Sequence, residues 1–370
     1  MLHVRSEEEA ASRFARTIDL LRDPEAPLTA EAIYSLSDLP GERLQAFRAL
    51  WPQLPAARRL DLVTRLVETM ETNFELDFSA LIRPALDDAD MDVRRVAIEG
   101  VLEDSPPPVI ERLMKLAQDD PFSEVRAAAV KALAMFVLRG ELGKLSDDLN
   151  TRLQDTVLAL HNNLNEDLDV RRRALESIAN CGREGVSSLI REAYYADDLP
   201  MRVSAVFAMG RSCDEAWLPQ IMDELSSDES EMRYEAARAA GELELRPALG
   251  RLVELAYEDD REIQEMAIWA MGEIGGKTAR QTLTDLAALA DSTEDAELAD
   301  AVAEAQSAAL LAGEDLLPLF DYSEYDDDSD EDLDEIDPDL LYGRDDEEED
   351  EDDDLELDSD LLYEMDDDSL

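Results

Sequence analysis

Seven related segments recur along the chain, and this repetition constrains the fold more than any other feature of the sequence. The segments begin at Val93, Val125, Val170, Met201, Met232, Ile263 and Leu298. Their starts are separated by 32, 45, 31, 31, 31 and 35 residues. A period of this length, with helical patterning inside each unit, predicts an α-solenoid in which each unit packs on its neighbours.

Each segment has the apolar pattern of a helix that is buried along one side. If the first apolar residue is position 0, then positions 0, 4, 5 and 8 share one side of the helix. Position 4 is alanine in six segments, at residues Ala97, Ala129, Ala174, Ala205, Ala236 and Ala267. A small side chain there lets a partner helix approach closely. Position 9 is glycine at Gly210, Gly241 and Gly272, which suits either a helix end or tight packing near it.

An acidic turn precedes each segment, and another amphipathic stretch precedes each turn. Examples of the turns are "DDADMD", "DDPFSE" and "EDDRE". Asp or Ser at the start of a helix caps its backbone N–H groups and suits its positive end. Each unit is therefore predicted to be helix, turn, helix. The 45-residue step contains residues 139–164, which we interpret as a lengthened first helix after a loop.

The units resemble HEAT repeats, most closely the short subclass named after phycobilisome lyases. The patterns "DxxVRxxAxxAL" and "MRxxAxxAxG" carry the resemblance, which covers roughly residues 75–312. It implies helix pairs stacked into a curved superhelix, with the second helix of each pair on the concave side. The predicted fold is therefore all-α: an armadillo-like α-solenoid of about seven HEAT-like helix pairs.

The chain divides into three predicted regions. Residues 1–74 contain amphipathic helices that suit an N-terminal cap, residues 75–312 form the solenoid, and residues 313–370 are an acidic tail. Residues 321–370 hold 29 acidic residues and one base, Arg344, for a net charge of -28. Such a segment cannot bury enough apolar surface to offset the entropy of ordering, so we expect the tail to be disordered.

Composition argues against several classes of partner and compartment. The formal net charge is -58, and residues 1–320 alone carry -30, so a nucleic-acid backbone would be repelled. Two cysteines, Cys181 and Cys213, fit a reducing compartment rather than a disulfide framework. The N-terminus lacks the apolar core of a secretory signal, and no run approaches the ~20 apolar residues of a membrane span. We therefore expect a cytoplasmic protein that binds neither nucleic acid nor membrane.

The sequence offers no recognisable catalytic, cofactor-binding or metal site. Its two histidines, His3 and His161, do not form the repeated His-Glu pairs with which some HEAT-like hydroxylases hold two irons. The stretch "MGEIGGKT" (271–278) lacks the glycine spacing of a phosphate-binding loop. We expect no enzyme, no cofactor and no small-molecule substrate.

Arginines occupy position 1 in five segments: Arg94, Arg126, Arg171, Arg202 and Arg233. They suit either a track that binds anions or a ladder in which each arginine reaches the acidic turn of its own or a neighbouring unit. Because buried charges must be paired and a guanidinium bridges several acceptors, we favour the paired ladder.

Positions 2, 3 and 6 point away from the predicted core and carry bulky side chains. The set that we call the contact stripe consists of Phe207, Tyr234, Arg238, Met266 and Trp269, and Arg172 and Arg173 lie on the same side. Phe207, Arg238 and Trp269 are 31 residues apart and should align. Aromatic residues, methionine and arginine are enriched in partner surfaces. The alternative is that neighbouring helices cover them.

The tail repeats a short apolar motif in "DPDLLY" (337–342) and "DSDLLY" (358–363). The repeated residues are Leu340, Leu341 and Tyr342, and then Leu361, Leu362 and Tyr363. Short apolar clusters with acidic flanks suit docking segments that order on a partner, and two copies would add avidity. The alternative is a tail that only keeps the protein in solution.

Taken together, these patterns favour a non-enzymatic scaffold or adaptor that binds a partner protein along the concave side of the solenoid. Two alternatives belong to other classes. The resemblance to the lyase subclass implies a bilin-lyase-like enzyme or a chromophore chaperone, with only the repeat in its favour. The acidic tail suggests a chaperone, or a mimic of nucleic acid, for basic proteins.

Overall fold

The computed structural model describes residues 2–312, and the side chains of residues 9–312. Within these residues the secondary structure is helical, without a strand. The acidic tail and its two Leu-Leu-Tyr motifs lie outside the described residues. The predicted all-α class and solenoid architecture are confirmed for the described part of the chain.

Eighteen α-helices follow one another in the described residues. Four precede the first unit: α1 (Leu2–Arg22), α2 (Ala30–Tyr34), α3 (Gly41–Leu50) and α4 (Ala56–Thr72). The first helices of the seven units are α5 (Ser79–Ala85), α7 (Pro107–Asp119), α9 (Asp147–Asn162), α11 (Val186–Tyr194), α13 (Leu218–Glu224), α15 (Leu249–Leu255) and α17 (Gly276–Thr293). The second helices are α6 (Met91–Glu99), α8 (Ser123–Glu141), α10 (Leu168–Ile178), α12 (Leu199–Arg211), α14 (Ser230–Glu242), α16 (Arg261–Ile274) and α18 (Ala296–Leu311).

The second helices pack on one another in a single row. Each contacts the next from α6 to α18, and each also packs on a first helix of its own unit. The row extends one helix further towards the N-terminus, because α4 packs on α6 while α3 contacts α5. The boundary at residue 74 stays a prediction, but α3 and α4 continue the packing of the units that follow them.

The repeat register decides which side chains form the core. Every residue at position 0 is at most 3% exposed, and the six alanines at position 4 are fully buried. Position 8 is also buried in the first six units, for example at Leu133 and Ile178. Burying a Val, Leu, Ile or Met side chain stabilises the folded state by about 1.5–3 kcal/mol. The second helices therefore supply a core that runs the length of the row.

The glycines at position 9 mark close contacts between helices and not helix ends. A Cβ atom on Gly241 would lie 2.9 Å from Cα of Ala270 in the next second helix. The same distance separates a Cβ on Gly272 from Cα of Ala305. In both cases position 9 of one helix meets position 7 of the next. Of the two predicted roles for these glycines, tight packing is the one confirmed.

Acidic residues cap some second helices, as their turns predict. Asp90, Asp167 and Asp260 each accept backbone N–H groups from the first turn of the helix that follows, and Asp295 does the same for α18. The helices α8, α12 and α14 begin without such a side-chain bond. The acidic turns therefore cap only part of the series.

The long step in the repeat is confirmed as a lengthened first helix, since α9 has 16 residues. The preceding helix α8 is also long and ends at Glu141. The carboxylate of Glu141 accepts hydrogen bonds from Nε2 of Gln154 at 2.8 Å and from the backbone N–H of Gly182 at 3.1 Å. These bonds join the end of α8 to α9 and to the turn after α10, which holds the longer unit in the row.

Candidate functional site

The arginines at position 1 form the paired ladder. Nε and Nη2 of Arg94 donate to the carboxylate of Asp120 at 2.8 and 2.9 Å, and Nη1 donates to the carbonyl oxygen of Asp88 at 2.8 Å. Arg126 donates to Glu166 at 2.7 Å and to the carbonyl oxygen of Asp120 at 2.8 Å. Each arginine thus joins the turn of its own unit to an acidic residue near the next turn.

Two rungs of this ladder are weaker. Nε of Arg171 donates to the carbonyl oxygen of His161 at 3.1 Å, and Arg202 stands 3.9 Å from Glu224. Arg233 keeps the full pattern, with Glu258 at 3.1 Å and the carbonyl oxygen of Ser227 at 2.8 Å. Except at Arg202, acceptors of the chain itself occupy these guanidinium groups, so the ladder is structural.

The ladder also includes a rung that the sequence reading missed. Arg59 in α4 donates to Asp88 through Nε at 2.7 Å and Nη2 at 2.8 Å. The stretch "RRLDLVTRLV" from Arg58 has the register of a unit, with Leu62 and Val63 buried at positions 4 and 5. The arginine followed by apolar residues at these positions was the available signal. The repeat is difficult to recognise here because position 0, which is apolar in the seven segments, holds the charged residue Arg58.

The contact stripe lies along three consecutive second helices. Phe207 is on α12, Tyr234 and Arg238 are on α14, and Met266 and Trp269 are on α16. The guanidinium carbon of Arg238 lies 3.8 Å from the ring centroid of Phe207. The ring of Trp269 in turn covers Gly241 of α14. Phe207 and Arg238 are therefore in contact across α12 and α14, and Trp269 lies against α14 at Gly241, while their role in binding a partner stays a prediction.

Arg238 is largely occupied within the chain. Its Nε donates to Glu235 at 2.7 Å, its Nη1 donates to Glu242 at 2.8 Å, and its side chain is 14% exposed. Burial raises the pKa of Glu235, and the charges of Glu176 and Glu242 act in the same direction against the opposing effect of Arg238. Arg238 therefore holds its neighbours in the stripe in place and is itself little exposed. The aromatic and methionine side chains beside it remain half-buried.

Arg172 and Arg173 are paired as well. Nε of Arg172 donates to Oγ of Ser204 at 3.0 Å, and its Nη1 donates to Asp169 at 2.9 Å. Oγ of Ser204 donates to Glu176 at 2.6 Å, and Arg173 donates to the same carboxylate at 2.5 Å. The two arginines therefore belong to a network of hydrogen bonds that links α10 to α12 through Ser204.

Two adjoining grooves run over the side of the second helices that carries the stripe. The first has a volume of about 290 Å³ and is lined by Arg172 and Tyr234 among others. The second has a volume of about 550 Å³ and is lined by Tyr234, Met266 and Trp269. Tyr234 and Glu262 line both, so the grooves join at α14 and α16. Arg173, Phe207 and Arg238 line neither.

Acidic side chains surround the apolar residues of these grooves, and sequence reasoning missed them as part of the site. They are Glu231, Glu235, Asp260 and Glu262 in the first groove, and Glu262, Glu265, Glu273 and Glu304 in the second. Glu265 is paired with Arg261 at 2.7 Å. Among the described residues, Glu273 and Glu304 have no cationic partner. Glu273 lies on α16 with Met266 and Trp269, and Glu304 lies on the neighbouring second helix α18. This shared position was the sequence signal that could have assigned both glutamates to the site.

His161 and Cys181 have altered pKa values and lie away from the grooves. His161 is buried and its Nδ1 lies 3.1 Å from the carbonyl oxygen of Arg171, and burial lowers its pKa. Burial raises the pKa of the Cys181 thiol to about 11. Neither residue lines the two grooves. Within residues 9–312, no three His, Cys, Asp or Glu side chains are grouped so that they could hold a metal ion.

The remaining predicted contacts, Leu340, Leu341, Tyr342, Leu361, Leu362 and Tyr363, lie outside the described residues. In the part of the chain that the structure covers, no helix combines the length and the apolar character needed to cross a bilayer.

A family model described as HEAT repeats matches residues 79–156 and 218–306. No protein with a curated description matches the sequence significantly. The complex of CpcE and CpcF of phycocyanin lyase from Nostoc sp. PCC7120 is similar, at 16% identity and a TM-score of 0.43, over 63% of this chain and 95% of that chain. The Escherichia coli protein YibA has 16% identity and a TM-score of 0.41, over 77% of this chain and 99% of that chain.

Human deoxyhypusine hydroxylase has 15% identity and a TM-score of 0.31, over 83% of this chain and 98% of that chain. These likenesses are too distant to transfer a function, whereas the family match rests on the sequence itself. The matched regions coincide with helix pairs whose second helices stack in one row. These two regions of the chain therefore consist of HEAT repeats.

Proposed function

We propose that the chain is a non-enzymatic scaffold that binds a partner protein along the second helices α12 to α18. The observation that carries the proposal is the pair of joined grooves, which sets Tyr234, Met266 and Trp269 side by side. A depression that crosses several helices suits a segment of protein better than a compact small molecule.

The chemistry of the grooves supports binding. Tyr234, Met266 and Trp269 pack partly on the core, which fixes their positions and leaves part of each side chain open. Aromatic side chains held in this way lose little conformational entropy when a partner covers them. Methionine adapts to irregular surfaces, and the carboxylates around the grooves suit the polar rim of an interface. We assign no reaction to this site.

The test compares two double variants in cross-linking and capture from the source cells. Tyr234→Ala with Met266→Ala removes the centre of the grooves. Tyr257→Ala with Leu289→Ala removes exposed apolar side chains that line neither groove. A partner identified with the unaltered protein is then purified, and its affinity for each variant is measured by calorimetry.

We expect the groove variant to weaken binding by about tenfold or more, since truncation of an interface centre costs at least about 1.4 kcal/mol. The control variant should bind as the unaltered protein does. Equal binding by both variants, with unchanged circular dichroism, would contradict the proposal.

The charge of residues 321–370 favours a second candidate, in which the tail captures basic proteins. A chain that ends at residue 320 should then lose this capture and keep binding at the grooves. A tail that serves only solubility would leave capture of basic proteins unchanged.

A further inference from the structure

Position 6 of the second helices places one side chain next to the neighbouring second helix. The residues at this position, from α12 to α18, are Phe207, Arg238, Trp269 and Glu304. The guanidinium group of Arg238 lies over the ring of Phe207, with 3.8 Å between the guanidinium carbon and the ring centroid. Glu235 and Glu242, at positions 3 and 10 of the same helix, accept its N–H groups. Here the described part of the chain contains a complete seat for an arginine: an aromatic ring with two carboxylates beside it.

Two units further along, between α16 and α18, the same arrangement lacks its cation. Trp269 supplies the aromatic ring, but position 6 of α18 is Glu304 instead of an arginine. Positions 3 and 10 of α18 are Ala301 and Ala308, which are much smaller than the glutamates at these positions of α14. The space left by these substitutions is the second groove, with a volume of about 550 Å³.

The charge at this groove is negative, and among the described residues only Glu265 of its carboxylates is paired, with Arg261. Glu262, Glu273 and Glu304 line it, and none of the three has a cationic partner within residues 9–312. A guanidinium placed over Trp269 would gain both the attraction of the ring and that of the carboxylates. A flat guanidinium stacks on an indole ring better than an ammonium does.

We propose that the second groove binds an arginine side chain from a basic segment of a partner protein, stacked on Trp269 between Glu273 and Glu304. The argument is charge complementarity, together with the seat that Arg238 occupies on Phe207 in the same molecule. This inference rests on the proposed function and names the partner's chemistry at that site.

Capped peptides with two arginines and two leucines are the probe, together with matched peptides that carry lysine or citrulline in place of arginine. Citrulline has the shape of arginine without its charge. Binding is followed by tryptophan fluorescence, because Trp51 and Trp217 are buried while Trp269 is half-exposed. We expect the arginine peptide to bind, the lysine peptide to bind less tightly, and citrulline to weaken binding by about tenfold or more.

Salt should weaken the arginine complex, because the attraction is partly between exposed charges. Equal binding of the citrulline peptide would overturn the proposal in favour of an apolar docking groove. An absence of fluorescence change up to about 1 mM arginine peptide would overturn it as well, since that limit corresponds to a free energy of about -4 kcal/mol.

Variants of the chain test the geometry. Glu304→Arg places a guanidinium in the register of Arg238, so it should fill the seat on Trp269 and reduce peptide binding by about tenfold or more. Glu273→Gln with Glu304→Gln should weaken binding through loss of charge alone. The control is Asp291→Asn with Asp300→Asn, which removes the same charge from exposed positions of α17 and α18 outside the groove. An equal loss of binding in the control would show a general effect of net charge and overturn the site.

The two proposals fail in different ways. If Tyr234→Ala with Met266→Ala abolishes partner binding while the arginine peptide does not bind the unaltered protein, the scaffold proposal stands and the arginine seat is wrong. If the peptide binds and responds to Glu304→Arg while capture of partners ignores the groove variants, the seat stands and the scaffold proposal fails.

Discussion

Arg94 and Asp120 show at the scale of single residues how much the ladder depends on complete pairing. Their side chains are 8% and 4% exposed, and two hydrogen bonds join them. Arg202 and Glu224 occupy the equivalent place in a later unit, but they are 3.9 Å apart and the arginine is 35% exposed. The same sequence position therefore carries very different electrostatic energies.

Arg94→Ala should destabilise the protein by about 3–5 kcal/mol, because it leaves the buried carboxylate of Asp120 without its cation. Arg202→Ala, the matched control, should cost about 0–1 kcal/mol, because the two groups are 3.9 Å apart and Glu224 keeps the hydrogen bond that it accepts from Tyr194 at 2.7 Å. The midpoint of urea unfolding, followed by circular dichroism, measures both. Similar losses for the two variants would refute this account of the ladder.

His161 should make stability depend on pH. Burial lowers its pKa in the folded protein below the ordinary value of 6.5, so the unfolded chain takes up a proton first as pH falls. The contribution is present above pH 6.5 and is lost as pH falls through that value towards the folded pKa. We expect the urea midpoint to fall between about pH 7.5 and 5.5, and to fall less in His161→Gln. An identical slope in the variant would exclude His161 as the cause.

At this scale, sequence patterns predicted what the register determines and missed what depends on a neighbour. Burial of Ala129 or Leu175 follows from the positions that they occupy in the repeat. The stacking of Arg238 on Phe207 does not, because Phe207 belongs to the neighbouring helix α12, whereas the ion-pair partners Glu235 and Glu242 lie on α14 itself. Side chains that are shared between helices lie beyond a pattern read within one helix.

At the scale of elements, the spacing of neighbouring second helices is set by glycine against alanine. In α14, a Cβ on Gly241 would lie 2.7 Å from the Trp269 ring and 2.9 Å from Cα of Ala270. The ring can turn aside, but the backbone of α16 can move only with its whole helix. Gly250 in α15 is the contrasting case, because a Cβ there would have no neighbour within 4 Å.

Gly241→Ala should destabilise the protein by about 1–3 kcal/mol, since overpacking forces α14 and α16 apart. Gly250→Ala should instead stabilise it by up to about 1 kcal/mol, because alanine restricts the unfolded chain and favours the helix. Thermal unfolding followed by circular dichroism measures both variants. A neutral Gly241→Ala would mean that the row is not held at this contact.

The sequence predicted the seven helix pairs through their repeated register, but it did not predict α4 as a member of the row. The reason is physical: Arg58 takes position 0 of that helix, where the other units have an apolar residue. The grooves were also not predictable, because the space over Trp269 depends on Ala301 and Ala308 in a helix of the most divergent unit. A groove is a property of two helices, whereas a repeat is a property of one.

At the scale of the whole molecule, negative charge works against folding. The net charge of -58 includes -30 in residues 1–320. Repulsion between like charges destabilises a compact state, and salt screens it over about 10 Å at 0.1 M. The ion pairs of the ladder are screened less, because they are partly buried.

We therefore expect the thermal midpoint to rise when sodium chloride increases from about 0.02 to 0.5 M, by a few degrees. A chain that ends at residue 312 should show a smaller rise, because it carries less net charge. Differential scanning calorimetry measures both. A midpoint that falls with salt would mean that exposed ion pairs outweigh the repulsion.

The contact of glycine at position 9 with alanine at position 7 also bears on how such a chain can lengthen. Helices α14 and α16 each receive a neighbour at their alanine and offer a glycine to the next helix, so a duplicated copy of α13 and α14 would renew this glycine–alanine contact on both of its sides. Helix α18 receives Gly272 at Ala305 but has Ser307 at its own position 9. Gene duplication could thus insert a unit inside the row without changing this contact. A unit added after α18 would pack on a helix that has Ser307 in place of the glycine, so it would need a different contact.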